Sequence, residues 1–255
     1  KVNQYEGSMK IDDILKKNTT PLCVPAYAPG RHHFYNREYL NVVYETDPEA
    51  LREIVPEPLE IEGNTVRFEF IMMPDSTGLG NYTESGQAIS VSFNGEKGDY
   101  LSAMYVSSVG AISSGRETSA YPKKAGHSSL TVDGDTLVGT LDYGSLRIAT
   151  ATMGYKWQRL SEAEAVGVIS RPTFMLKIQH GLQGELEKCL LTRMPPLRDL
   201  VVKWAWTGPA RLQLFEHALA PVADLPVRRI VAASHILTDL NLEPVTPVFD
   251  YLQRK

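Results

Sequence analysis

The chain lacks most of the features that mark cofactor-dependent or membrane-bound classes. Its only cysteines, Cys23 and Cys189, have no CxxC spacing, so neither a disulfide scaffold nor a cysteine-rich zinc module is expected. No secretory leader is recognisable, and a reducing cytoplasm is the expected compartment. No run of about 18 apolar residues occurs, so no membrane span is expected. The formal net charge is only −4, which gives no reason to expect a nucleic acid or an anionic membrane as partner. An anionic substrate would have to be drawn in by local positive charge. The six histidines show no HExxH spacing, and the adjacent pair His32-His33 is poorly placed to hold one ion. No metal site is expected. A GxSxG elbow is missing, and Gly78-Leu79-Gly80 is followed by Thr83 where the dinucleotide fingerprint needs glycine. Catalysis without a cofactor is the expectation these absences leave.

What is present is a chain able to bury a full core, with hydrophobic residues making up 43% of 255. Residues 1–8 precede Met9 and read as an expression-vector remnant; residues 9–255 are expected to form a single domain. A short amphipathic helix is predicted over Lys10–Lys17. Another starts at Asp47-Pro48 and stops before Pro56, and a third is capped by Ser161 and runs to Val168. Most of the rest reads as strands, rich in β-branched and aromatic residues. They are Tyr39–Tyr44, Thr65–Met73, Ala88–Phe93, Tyr100–Val106, Leu146–Met153, Phe174–Ile178, Leu197–Val202, Arg211–Phe215 and Arg229–Leu237. The fold class expected is α+β, mainly β: a curved or closed antiparallel sheet, barrel-like or cone-like, with helices at its periphery.

One stretch stands out chemically: Arg116-Glu117-Thr118-Ser119-Ala120-Tyr121-Pro122-Lys123-Lys124. A free lysine has a pKa of about 10.4, so at neutral pH about one amine in a thousand or fewer is neutral and nucleophilic. Burial disfavours the charged form, and so does a second cation next door. Lysine pairs on turns are nonetheless mostly solvated, and the pair alone would read as surface. If the chain is extended after Pro122, Lys123 and Lys124 point to opposite faces. Burial would then act on Lys123 more strongly than its neighbour's charge does.

This run resembles the signature of the acetoacetate decarboxylase family. The resemblance extends over nearly the whole chain from Met9, through Tyr35-Asn36-Arg37-Glu38-Tyr39, Val66-Arg67-Phe68-Glu69, Gly78–Gln87, Gly139–Gly144, Ala149–Lys156 and Trp206-Thr207-Gly208-Pro209. It is weakest between about His180 and Lys203. The family is itself a standard example of a lysine activated by its setting. The resemblance implies that Lys123 is the Schiff-base nucleophile, with Arg37, Glu69 and Glu84 as the other catalytic residues and Lys124 and Tyr121 in support. It implies a β-keto acid substrate, acetoacetate, converted to acetone and CO2 with no cofactor. It also implies a homo-oligomer, a dodecamer. Glu69 is expected to face a polar cavity while Phe68 and Phe70 face the other way. Two other classes stay open: a relative that keeps the imine but condenses or dehydrates, and a non-catalytic carbonyl-binding barrel.

Overall fold

In the run Val66-Arg67-Phe68-Glu69-Phe70-Ile71, an extended backbone sends successive side chains to opposite faces, and the architecture follows from that alternation. The computed structural model describes residues 9–253; residues 1–8, read above as a vector remnant, lie outside them. The first half of the chain contains α1 (Ile11–Ile14), β1 (His33–Glu45), α2 (Pro48–Ile54), β2 (Glu60–Met73), β3 (Asp75–Ser76), β4 (Tyr82–Phe93), β5 (Glu96–Val106), α3 (Val109–Glu117) and β6 (Lys123–Ala125). The second half continues with β7 (His127–Asp133), β8 (Thr136–Tyr143), β9 (Leu146–Gly154), β10 (Gln158–Arg159), α4 (Glu162–Ile169), β11 (Thr173–His180), β12 (Leu186–Met194), β13 (Val201–Thr207), β14 (Ala210–Leu214), β15 (Arg229–Asn241) and β16 (Thr246–Asp250).

Twelve strands form one large sheet in the order β10-β13-β15-β1-β2-β4-β5-β11-β12-β16, with β3 added beside β1 and β6 beside β5. The remaining four make a smaller sheet, β14-β9-β8-β7. Most pairings are antiparallel, but β5 runs parallel to both β6 and β11. The large sheet is therefore mixed. Among the described residues its path is open, with β10 and β16 at the two ends.

One face of the large sheet is dry. Leu40, Val42 and Tyr44 of β1 and Val66, Phe68 and Phe70 of β2 are fully buried there, clustered with Leu137, Leu141, Ile148 and Met153 of the small sheet. Each such large side chain contributes about 1.5–3 kcal/mol by leaving water. The two sheets approach closely at Gly139, where a Cβ would stand 2.9 Å from the Phe70 ring. On the opposite face Tyr39, Ile71, Met73, Tyr82, Met104 and Val106 cluster with Ala111 of α3 and Ala165 of α4. This second face holds the pocket described below.

Several elements differ from the sequence-based expectation, each for a local reason. The first helix is only the turn Ile11–Ile14 and buries nothing, so its apolar residues have no face to pack on. The strand expected at Leu197–Val202 instead runs Val201–Thr207. It follows the Pro195-Pro196 pair, which removes two amide donors, and carries Trp204 and Trp206. Helix α3 was not predicted, because Val-Gly-Ala-Ile-Ser-Ser-Gly-Arg-Glu has no apolar stripe. Ser161 caps α4 as expected, in a reciprocal capping box with Glu164. Asp47 precedes α2 but makes no cap bond; its carboxylate is engaged by Arg228 at 2.6 Å.

Candidate active site

Residues from opposite ends of the first half of the chain meet on the helix-covered face. Strand β1 delivers Arg37, β2 delivers Arg67 and Glu69, β4 delivers Glu84, and the short β6 delivers Lys123. The register aligns them: Asn41 pairs with Glu69, Ile71 with Glu84, and Met104 with Lys123. All five line one cavity of about 80 Å³, together with Tyr39, Ile71, Tyr82, Met104, Tyr121, Met194 and Leu242. A second, larger cavity of about 240 Å³ lies on the other side of Lys123. It is bounded by α3 and by residues 30–34 and 242–245, and shares Tyr82, Tyr121, Lys123 and Leu242 with the first. The lysine amine thus stands where a charged inner chamber meets an outer one rimmed by exposed residues such as Arg31 and Pro244.

Lys123 is only 7% exposed. Its Nζ lies 2.6 Å from Glu84 Oε1, a close ion pair, although Oε1 receives no well-oriented hydrogen bond among the described residues. Rings flank the amine, with Nζ 5.1 Å from the Tyr121 centroid and 6.0 Å from that of Tyr82. Tyr121 Oη donates to Met194 Sδ at 3.1 Å. Burial raises the phenol pKa values of Tyr82 and Tyr121 well above the ordinary value, and the Glu84 charge adds to it. Both stay neutral phenols at physiological pH.

Arg37 sits between the Phe34 and Tyr39 rings, 5.1 Å from each centroid. Its Nη2 is 4.0 Å from Glu84 Oε2, and its buried Nε has no acceptor among the described residues. Burial works against its charge, but its surroundings, the Glu84 carboxylate among them, outweigh it, so the guanidinium is held above its ordinary pKa. The pocket therefore contains a fixed cation with an N–H still to offer.

Glu69 lies with Arg67 rather than with Arg37. Arg67 Nε donates to Glu69 at 2.8 Å and its Nη1 to Asp99 at 2.6 Å. Asp99, at 1% exposure, also holds Arg171 at 3.1 Å. Glu69 is thus a neutralised carboxylate, while Glu84 is the one nearest the amine. Phe68 and Phe70 point into the dry core, which leaves Glu69 on the cavity side.

Lys124 is elsewhere. As an extended segment requires, it points away from Lys123: its Nζ donates to the Leu219 carbonyl and lies 5.1 Å from the Tyr143 ring centroid. Three further residues of this neighbourhood were not singled out from sequence. Arg67 was open to discovery, because it is two positions from Glu69 on the same strand face. Asp99 and Arg171 carry no local signal. Among the described residues no group of three or more His, Cys, Asp or Glu side chains could hold a metal ion.

Comparison with known proteins identifies the family of the chain. The family profile described as acetoacetate decarboxylase (ADC) matches residues 19–252. An acetoacetate decarboxylase of Clostridium beijerinckii is 58% identical over 243 residues, covering 95% of this chain and 98% of the relative. A solved structure titled as structural studies of acetoacetate decarboxylase superposes with a TM-score of 0.94 at 56% identity, covering 96% of this chain and all of that one. The acetoacetate decarboxylase of Legionella pneumophila superposes at 0.89 with 40% identity, over 98% of this chain and 100% of its own. The chain belongs to the acetoacetate decarboxylase family.

Proposed function

We propose that this protein decarboxylates acetoacetate to acetone and CO2 through a Schiff base on Lys123. The observation that carries the reading is a buried amine with a carboxylate 2.6 Å away in a pocket that also holds a guanidinium. Transfer of the ammonium proton to Glu84 turns a buried ion pair into a neutral amine and a neutral acid, which avoids burying two charges. The amine then adds to the ketone carbon, and loss of water gives a protonated imine. When the bond to the carboxylate carbon breaks, its electron pair moves toward the imine nitrogen and leaves an enamine. Glu84, having given its proton to the departing hydroxyl, takes up another from solvent and protonates the enamine at carbon, and hydrolysis of the resulting imine releases acetone and the free lysine.

Arg37 has the role of drawing in the substrate carboxylate, through the N–H groups that Glu84 does not occupy. Glu69, neutralised by Arg67, shapes the inner chamber without adding net negative charge beside the amine. Tyr121 supplies a ring against the amine, and Lys124 ties the strand down from outside. No cofactor is needed, because the protonated imine is itself the electron sink.

The same reading includes a strongly curved, cone-like sheet. Arg37 on β1 and Met194 on β12 line one small cavity, yet five strand spacings would separate those strands by about 24 Å in a flat sheet. It also includes a single domain over residues 9–255, action in the cytoplasm, where the free thiols Cys23 and Cys189 would stay reduced, and a homo-oligomer, a dodecamer. Exposed Val109, Trp157 and Leu182 are apolar groups that neighbouring copies could cover, and light scattering would count the subunits.

The test is to add acetoacetate with borohydride and to follow CO2. Release of CO2, with one reduced adduct per chain on Lys123, is expected. An adduct on Lys124, or none, would sink the assignment. Adduct formation without CO2 would point to an imine-forming relative with a different second step.

A further inference from the structure

Gly115 occupies the last turn of α3 and has ordinary helical backbone; it is absent from the glycines with positive φ. Nothing in its own conformation calls for glycine, which is disfavoured inside helices relative to alanine. The reason lies across the gap. A Cβ at position 115 would stand 2.8 Å from Cδ, 2.9 Å from Cε and 3.2 Å from Nζ of Lys123. Ordinary contact begins at 3.4 Å, so the lysine arm would have to retreat by about 0.6 Å or swing aside. Such a retreat is cheap for folding, because the end of a lysine is flexible. It is expensive for an amine that must meet both Glu84 and a ketone carbon.

The turn that presents this flat surface is held from outside. Lys177 of β11 donates to the carbonyls of Arg116, Glu117 (3.0 Å) and Ser119 (2.8 Å), closing the end of α3. Arg116 in turn donates to the Lys123 carbonyl at 3.2 Å. We propose that Gly115, on a turn clamped by Lys177, is a positioning residue that sets where the Lys123 amine sits. The inference rests on Lys123 being the nucleophile, and its test separates the two.

In Gly115→Ala the melting temperature should equal or exceed that of wild type, since alanine favours the helix. The rate of borohydride trapping with acetoacetate and kcat should both fall by about a hundredfold, the scale of a misplacement near 1 Å, with KM little changed. Lys177→Met should move trapping in the same direction by less, and Lys177→Arg should restore it. Wild type trapped at Lys123, with Gly115→Ala trapped and turning over at the same rate, would overturn the positioning role alone. Wild type not trapped at Lys123 would overturn the site reading and this inference with it. A melting temperature that collapses in step with activity in both Gly115→Ala and Lys177→Met would make the turn merely structural and would also overturn it.

Discussion

On β2, Val66, Phe68 and Phe70 pack under the small sheet, while Arg67 and Glu69, one residue out of step, stand in a charged pocket. On β1 the same division separates Leu40, Val42 and Tyr44 from Arg37 and Tyr39. The dry face is filled by large side chains that need only shape and volume. The pocket face sets charges among apolar and aromatic side chains such as Tyr39, Ile71 and Met104, and each charge needs a partner at a set distance. One backbone thus carries two sets of requirements, and the alternation of side chains keeps them apart. Changes on the dry face are expected to appear in stability, and changes on the pocket face in turnover.

The sharpest break should come from Lys123→Ala, which is expected to lower turnover by more than about a thousandfold, as loss of a covalent nucleophile does elsewhere. Its melting temperature should fall by less than that of Phe68→Ala, because the Glu84 carboxylate that loses its partner still has Arg37 4.0 Å away; a steady-state CO2 assay beside a thermal melt reads both. Phe68→Ala should do the reverse, costing about 3–5 kcal/mol of stability. Denaturant titration would measure that loss, with kcat per folded molecule near wild type. Arg37→Ala should lower kcat/KM by about a hundredfold, the scale of losing one fixed charge donor at a reacting group. Its stability should fall less than that of Phe68→Ala; if the two melts fell equally, Arg37 would belong with the structural residues. Smallest is Lys124→Gln, which should change turnover by less than about fivefold, since an outward charge contributes little. A larger loss would mean that the lysine pair, and not the burial of Lys123, activates the amine.

The pocket was more legible in the sequence than the fold was. Arg37, Glu69, Glu84 and Lys123 each read singly as a surface charge and were picked out only through the family resemblance of the runs they lie in; all four line one cavity. Strand alternation pointed to the side Glu69 would take, because a period of two needs only adjacent residues. Asp99 escaped because its meaning depends on Arg67 and Arg171, far away in the chain. Gly115 escaped because its Cβ-less face matters only once Lys123 lies across it. Helix α3 hid for a related reason: it buries only Ala111, Ser114 and Gly115, too little for an apolar stripe. Parallel pairs within the large sheet were not expected either, since nothing in β5 or β11 alone announces that they run parallel.

That parallel junction bears on how the protein is made. It pairs Thr173 with Asp99 and Phe174 with Tyr100, beside the carboxylate that holds Arg67 and, through it, Glu69. Pairings between such distant residues carry a large loop-closure cost and are slow to form. Until β11 docks, Asp99 lacks Arg171, and the end of α3 lacks Lys177. A newly synthesised chain should therefore acquire activity only after β11 has docked on β5. Regain of turnover during refolding would then trail the recovery of β-sheet signal.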